Sequence, residues 1–152
     1  RQSDIALGVA YDFGWIKALG AVVSKRGYAV ATPGAVVSIA GSQDSDRAYI
    51  LGANAAVSSA GTVGVAVARL QVADAHRGRY AANMSVPFAG VMDDATAWSV
   101  AYTHALSKRT SLFAAYGTFD NSGVGNGSLN VAARPVAGGT SRLIGTGVRH
   151  SF

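Results

Sequence analysis

Apolar residues fall on every second position along most of this chain. Ile5, Leu7, Val9, Tyr11 and Phe13 alternate with Ala6, Gly8, Ala10 and Asp12, and a period of two marks a strand whose two faces differ. The same pattern predicts a strand over Trp15 to Ser24, with Ile16, Ala18, Gly20 and Val22 on one face and Lys17 on the other. It returns at Tyr49 to Val57, Val63 to Ala68, Ala97 to Leu106 and Thr110 to Phe119. It returns a last time from Ile144 to the terminal Phe152, giving seven predicted strands. Within Thr110 to Phe119 the phase is ambiguous, because Phe113 and Tyr116 differ in parity; Leu112, Ala114 and Tyr116 are expected on the apolar face.

The connections alternate too. They are short at "FGW", "SSAG" and "SKR", and long at about 26–46, 73–94 and 120–139. Three hairpins therefore place their tight turns at one end of the sheet and large polar loops at the other, an up-and-down antiparallel meander. The uncharged run from Ala48 to Ala68 could be read as a membrane helix, but its Gly52, Asn54, Ser58, Ser59, Gly61 and Gly64 fit two strands meeting at a turn.

The two faces are unlike those of a soluble sandwich, whose outer side is rich in charged residues. Here the second face is mostly Ala, Gly, Ser and Asn. The apolar face carries aromatics near strand ends: Tyr11, Phe13 and Trp15 by the first short turn, Tyr49 and Trp98 by long loops. An aliphatic band between aromatic girdles is the lipid-facing surface of a transmembrane barrel. Strands of about 9 to 11 residues have the length to cross the hydrocarbon layer. Arg69 shares parity with Val63, Val65 and Val67, so it is expected either at the outer rim or beside a bulge that shifts the phase. A soluble secreted β-domain is disfavoured, since so continuous an apolar face would aggregate in water.

Composition narrows the function. The 13 Lys and Arg exceed the 8 acidic residues, giving net +5, but they are dispersed, which argues against nucleic acid. There is no Glu and no Cys, so neither a disulfide framework nor a thiolate nucleophile is available. "RQSDIALGVAYDF" enters the periodic pattern at once, so any export leader is expected outside this chain. His76, His104 and His150 fall at no metal-ligand spacing. Ser107 beside His104 lacks an oxyanion-hole pattern, and "SGVGNGS" is followed by neither Lys nor helix. No catalytic, cofactor-binding or metal residue is expected. Asp44, Asp46, Asp93 and Asp94 lack the rest of a cation loop.

"YTHALSKRTSLFAAYGTFDN", the hairpin "VAYDFGWIK" and the terminal "GVRHSF" resemble the C-terminal part of the Gram-negative general porins, particularly the proteobacterial type related to neisserial porins. The terminal match rests on Gly147, Arg149, His150 and Phe152. The resemblance implies an all-β transmembrane barrel in the outer membrane, crossed many times. The seven strands over residues 1–152 would form, as one incomplete domain, the C-terminal portion of a larger, 16-stranded barrel. A complete small barrel with an eighth strand in Ala81 to Val91 is the lesser alternative, because Pro87 sits at its centre.

The resemblance further implies a homotrimeric, water-filled channel for passive diffusion of small hydrophilic solutes and ions, with no enzyme activity. The alternative function is a barrel anchor for an autotransporter or adhesin. Asp12, Lys17, Asn54 and Arg149 are expected to line the pore, and Arg47, Arg77, Arg79, Arg134 and Arg142 to surround its outer mouth. These arginines would favour anions or bind anionic lipopolysaccharide. Ile144, Val148, His150 and Phe152 would form the signal read by the barrel assembly machinery. The remaining partner expected is outer-membrane lipid.

Overall fold

The computed structural model describes residues 3–27, 30–31, 38–39, 44–81, 91–129 and 134–152. Among these residues ten strands follow one another: β1 (Ser3–Asp12), β2 (Ile16–Arg26), β3 (Val30–Ala31), β4 (Ser38–Ile39), β5 (Ser45–Ala56), β6 (Gly61–Gln71), β7 (Tyr80–Ala81), β8 (Ala95–Ala105), β9 (Thr110–Asn121) and β10 (Thr140–His150). Seven of them form one antiparallel sheet in the order β1-β2-β5-β6-β8-β9-β10, so each long strand lies beside its neighbour in sequence. The two-residue strands β3, β4 and β7 make a small second sheet joining the first and second long connections. A single 3-10 turn, Asp74–His76, is the only helical element among the described residues.

Turn chemistry fixes the hairpins. At the first, Gly14 has φ 92°, the left-handed region that a side chain disfavours, and its N–H donates to Asp12 Oδ1 at 2.8 Å. The other two turns share a device. Ser58 Oγ accepts the Gly61 amide at 2.8 Å, and Ser107 Oγ accepts the Thr110 amide at 3.1 Å. In each, a serine hydroxyl satisfies the donor three residues on.

The ladders keep one register without a bulge, which sorts every side chain to a face. Leu7 stands opposite Val22, Val22 opposite Tyr49, and Tyr49 opposite Arg69. Val67 pairs with Trp98, Val100 with Tyr116, and Tyr116 with Ile144. One face thus carries Ile5, Leu7, Val9, Leu51, Val65, Val67, Trp98 and Ile144, all exposed large hydrophobics. The only buried hydrophobic residues among those described are Val72 and Ala95. This sheet buries almost no apolar core; its apolar surface is turned outward, as lipid requires.

The register also settles the phase of β9: Leu112, Ala114 and Tyr116 lie on the outward face and Phe113 on the other. Trp98 and Tyr116 pack outward with ring centroids 5.4 Å apart. Arg69 keeps its outward parity between Tyr49 and Thr96, at the long-loop end of β6. The last ladder pair is His150 with Thr110, so Phe152 lies two residues beyond the strand it was expected to close. Its ring meets that of His150 edge-on at 4.8 Å, and the Ser151 amide donates to the Arg109 carbonyl at 2.9 Å. Among the described residues β1 and β10 each pair on one side only. Most of the segment considered for an eighth strand lies outside the described residues.

Candidate pore wall and outer mouth

The inner face of the sheet is rich in small residues, with a few large apolar ones such as Leu19, Ile50, Phe113 and Leu143 among them. Ala6, Gly8 and Ala10 of β1 run beside Ala21 of β2, and Gly52 of β5 beside Ala66 of β6, with Ser99 of β8 next in the row. Small side chains leave the backbone close to the space the wall bounds, which widens it. Larger groups are used to cover glycine: an added Cβ on Gly147 would stand 2.8 Å from the Phe113 ring, which lies over it. Asn54 shares the inner face with Gly64, directly opposite, and covers it in the same way.

Four charges on this face come as two pairs of opposite sign. Lys17 and Asp12 are directly paired across β1 and β2 and approach to 3.1 Å at the short-turn end. Lys25 and Asp4 repeat the arrangement at the long-loop end, at 3.8 Å. Arg149 has inner parity opposite Ser111 and is exposed. Of the pore-lining residues expected, Asp12, Lys17, Asn54 and Arg149 all have inner parity.

At the long-loop end the inner face ends in polar residues that hold the loops. Asp46 of β5 accepts the Ala73 amide at 2.8 Å and lies 2.9 Å from His76 Nδ1. A carboxylate oxygen has only lone pairs to offer, so the imidazole nitrogen acts as donor. His76 is fully buried. Asn121 of β9 accepts the Gly127 amide and donates to the carbonyls of Gly127 and Gly139. Ser141 of β10 bonds Ser128 Oγ at 3.0 Å and accepts the Leu129 amide. Because Asp46, Asn121 and Ser141 all have inner parity, they draw the second and third long connections over the inner face. Leu129 consequently lies within 3.5 Å of where a Cβ on Gly117 would stand.

Arg77 knits these loops together. Its Nη1 is 2.8 Å from Asp93, its Nη2 3.0 Å from Asp94 and its Nε 3.1 Å from Asp74. The hydrogen bond to Asp94 holds the guanidinium above its ordinary pKa. Asp94 also accepts the Val72 amide and Asp93 the Val124 amide. One cation facing three carboxylates leaves this part of the mouth acidic.

The arginines expected to ring the mouth therefore divide. Arg77 is committed to its carboxylates, while Arg79 lies in the same loop and Arg134 is exposed in the third. Arg47 and Arg142 have outward parity, opposite Ser24 and Thr118. The terminal residues Ile144, Val148 and His150 share the outward face, and His150 Nδ1 lies 2.9 Å from Thr110 Oγ1. His104 is held likewise by the Tyr102 hydroxyl at 2.9 Å. Sequence reasoning missed the anchors Asp46, Asn121, Asn126, Ser128 and Ser141; a concentration of Asp, Asn and Ser at strand ends was their only signal.

A family model described as Gram-negative porin matches residues 1–124. No curated protein and no solved structure matches the chain. The match takes in six of the seven long strands and all three short hairpin turns. With outward apolar face, antiparallel meander and family match in agreement, the chain belongs to the Gram-negative porins of the outer membrane.

Proposed function

We propose that this sheet is part of the wall of a water-filled channel through which small hydrophilic solutes and ions diffuse passively. The observation that carries the reading is the unbroken register, which gives one face of the sheet a band of large apolar groups and the other mainly small residues with two charge pairs, a few large apolar groups such as Leu19, Phe113 and Leu143 among them. A bilayer tolerates no open sheet edge, so β1 and β10 meet further strands in the working barrel. The sheet then crosses the outer membrane as a closed, multi-pass barrel, and the motif resemblance supports a homotrimer. The outward-facing terminal segment Ile144, Val148, His150 and Phe152 serves the barrel assembly machinery as its recognition element.

Selectivity follows from the division of charge. On the inner face Asp12 cancels Lys17 and Asp4 cancels Lys25, Arg149 standing apart at the short-turn end, and the loops over the mouth carry Asp74, Asp93 and Asp94 against Arg77. Fixed charge beside an aqueous path sets a local potential, so this part of the mouth favours cations. The test is permeation by swelling of liposomes containing the protein purified from outer membranes. Uptake of neutral sugars should fall smoothly with their size and show no saturation; saturable uptake of one sugar alone would contradict a general diffusion channel.

A further inference from the structure

Three large side chains follow one another down the inner face of β9 and β10. Leu143 stands opposite Gly117, Phe113 opposite Gly147 and Arg149 opposite Ser111. The facing glycines leave room across the neighbouring strand, and the Phe113 ring takes it by lying over Gly147. Leu129 of the third long connection comes within 3.5 Å of the Cβ position of Gly117, which adds a further apolar group beside Leu143. Leu143 is nonetheless 47% exposed and Phe113 41%. An exposed apolar strip in a wall otherwise rich in small residues marks a surface that something apolar covers.

The strip ends on a cation. Gly147 and Arg149 are two residues apart on one strand, about 7 Å, so the guanidinium stands next to the Phe113 ring. Arg149 is exposed and meets no carboxylate among the described residues, whereas Lys17 and Lys25 on the same face are each paired. Asp120, the one Asp of β9 and β10, lies at their far end, and Lys108 and Arg109 occupy the turn beside Arg149. Short turns lie on the periplasmic side of outer-membrane barrels, so the positive corner and the exposed ring share that end of the wall.

A ring beside an unpaired guanidinium is complementary to a solute that joins a ring to a carboxylate. We propose that Phe113 and Arg149 form a binding site for aromatic monocarboxylates at the periplasmic end of the channel wall. The solute ring packs on Phe113 in the offset or edge-on contact that aromatic pairs prefer, and its carboxylate accepts two hydrogen bonds from the guanidinium fork. Leu143 and Leu129 continue the apolar surface toward the outer mouth. The site deepens the channel reading and rests on it, since its occupant arrives through the aqueous lumen.

The test adds sodium benzoate at pH 7 to single channels of the protein purified from outer membranes. Acetate, which lacks the ring, and benzyl alcohol, which lacks the charge, are the comparators. Benzoate should interrupt the current saturably, and neither comparator should do so at the same concentrations. Phe113→Ala should raise the half-maximal benzoate concentration about threefold to tenfold, the loss of an aromatic contact. Arg149→Gln should raise it about tenfold or more, the loss of a charge-assisted pair, and Arg149→Lys should recover part of that loss. Arg69→Gln, outward on β6, should behave as the parent does. An equal effect of acetate or benzyl alcohol, or an unchanged half-maximal concentration in Phe113→Ala or Arg149→Gln, would overturn the proposal. Should Phe113→Ala not fold, Phe113→Leu keeps Gly147 covered and carries the same comparison. Saturation-transfer NMR of benzoate with the detergent-solubilised protein reads the site without a current, and transfer to the ring protons should be strong in the parent and weak in both variants. Conducting steps that ignore benzoate sink this site and leave the porin reading intact; absence of steps sinks the channel, and the NMR comparison then decides the site.

Discussion

Asp46 and His76, 30 residues apart in sequence, meet at 2.9 Å at the long-loop end of β5. The carboxylate faces the inner side of the sheet, so a buried imidazole and the Ala73 amide are both tied to the wall rather than to the loop itself. Asp46→Ala removes the acceptor for both donors and should loosen residues 72–79 at a cost of about 1–3 kcal/mol. Limited trypsin digestion should then cut at Arg77 and Arg79 faster than in the parent while the sheet stays folded; an unchanged cleavage rate would show that the loop is held elsewhere.

Arg77 is the one cation among three carboxylates. Arg77→Gln removes a positive charge from the mouth and should shift the reversal potential in a salt gradient toward greater cation preference. The shift should shrink between about 0.1 M and 1 M salt, as the Debye length falls from about 10 to 3 Å. Asp93→Asn should move it the opposite way.

Adjacent residues on β6 offer a direct test of the two faces. Val65 points outward and Ala66 inward, by their partners Val100 and Ser99. Val65→Arg puts a charge into lipid at a cost of about 2–4 kcal/mol near the midplane. Ala66→Arg should fold and reduce single-channel conductance instead. Urea unfolding in lipid vesicles measures the first effect and bilayer recording the second.

Gly147 leaves room for the Phe113 ring. Gly147→Leu forces that ring off the inner face and should destabilise the β9–β10 hairpin by about 1–3 kcal/mol, the usual cost of overpacking. Phe113→Ala combined with Gly147→Leu should recover part of the loss, measured by the temperature at which the folded band disappears in gel electrophoresis.

Phe152 is fully exposed beyond the last ladder pair and touches His150. Phe152→Ser should lower the amount of protein assembled in the outer membrane while leaving the conductance of assembled molecules unchanged. Normal assembly with altered conductance would contradict the terminal segment's role as an assembly signal.

The strands were legible because a period of two is both the sequence signal and the geometry. Parity alone gave Arg69 its outward face, and the unbroken ladder left it at the rim without a bulge. Where parity conflicted, as between Phe113 and Tyr116, the cross-strand partner Val100 resolved it. The last strand was read two residues too long, since an alternating Phe152 looks the same in sequence whether or not it has a partner. The loop anchors were illegible for a physical reason: bonds such as Asp46–His76 and Asn126–Val91 join residues 30 and 35 apart with no periodic trace. Arginines that look alike in sequence are likewise separated only by register, which sends Arg47 and Arg142 outward while Arg77 is consumed within the loops.

The central claim, a water-filled passage, is tested most directly by recording the protein purified from outer membranes in planar bilayers. The account predicts discrete steps whose conductance is ohmic and rises in proportion to the bulk conductivity of the salt solution. Incorporation of folded protein that yields no steps, or a conductance independent of salt, would contradict it.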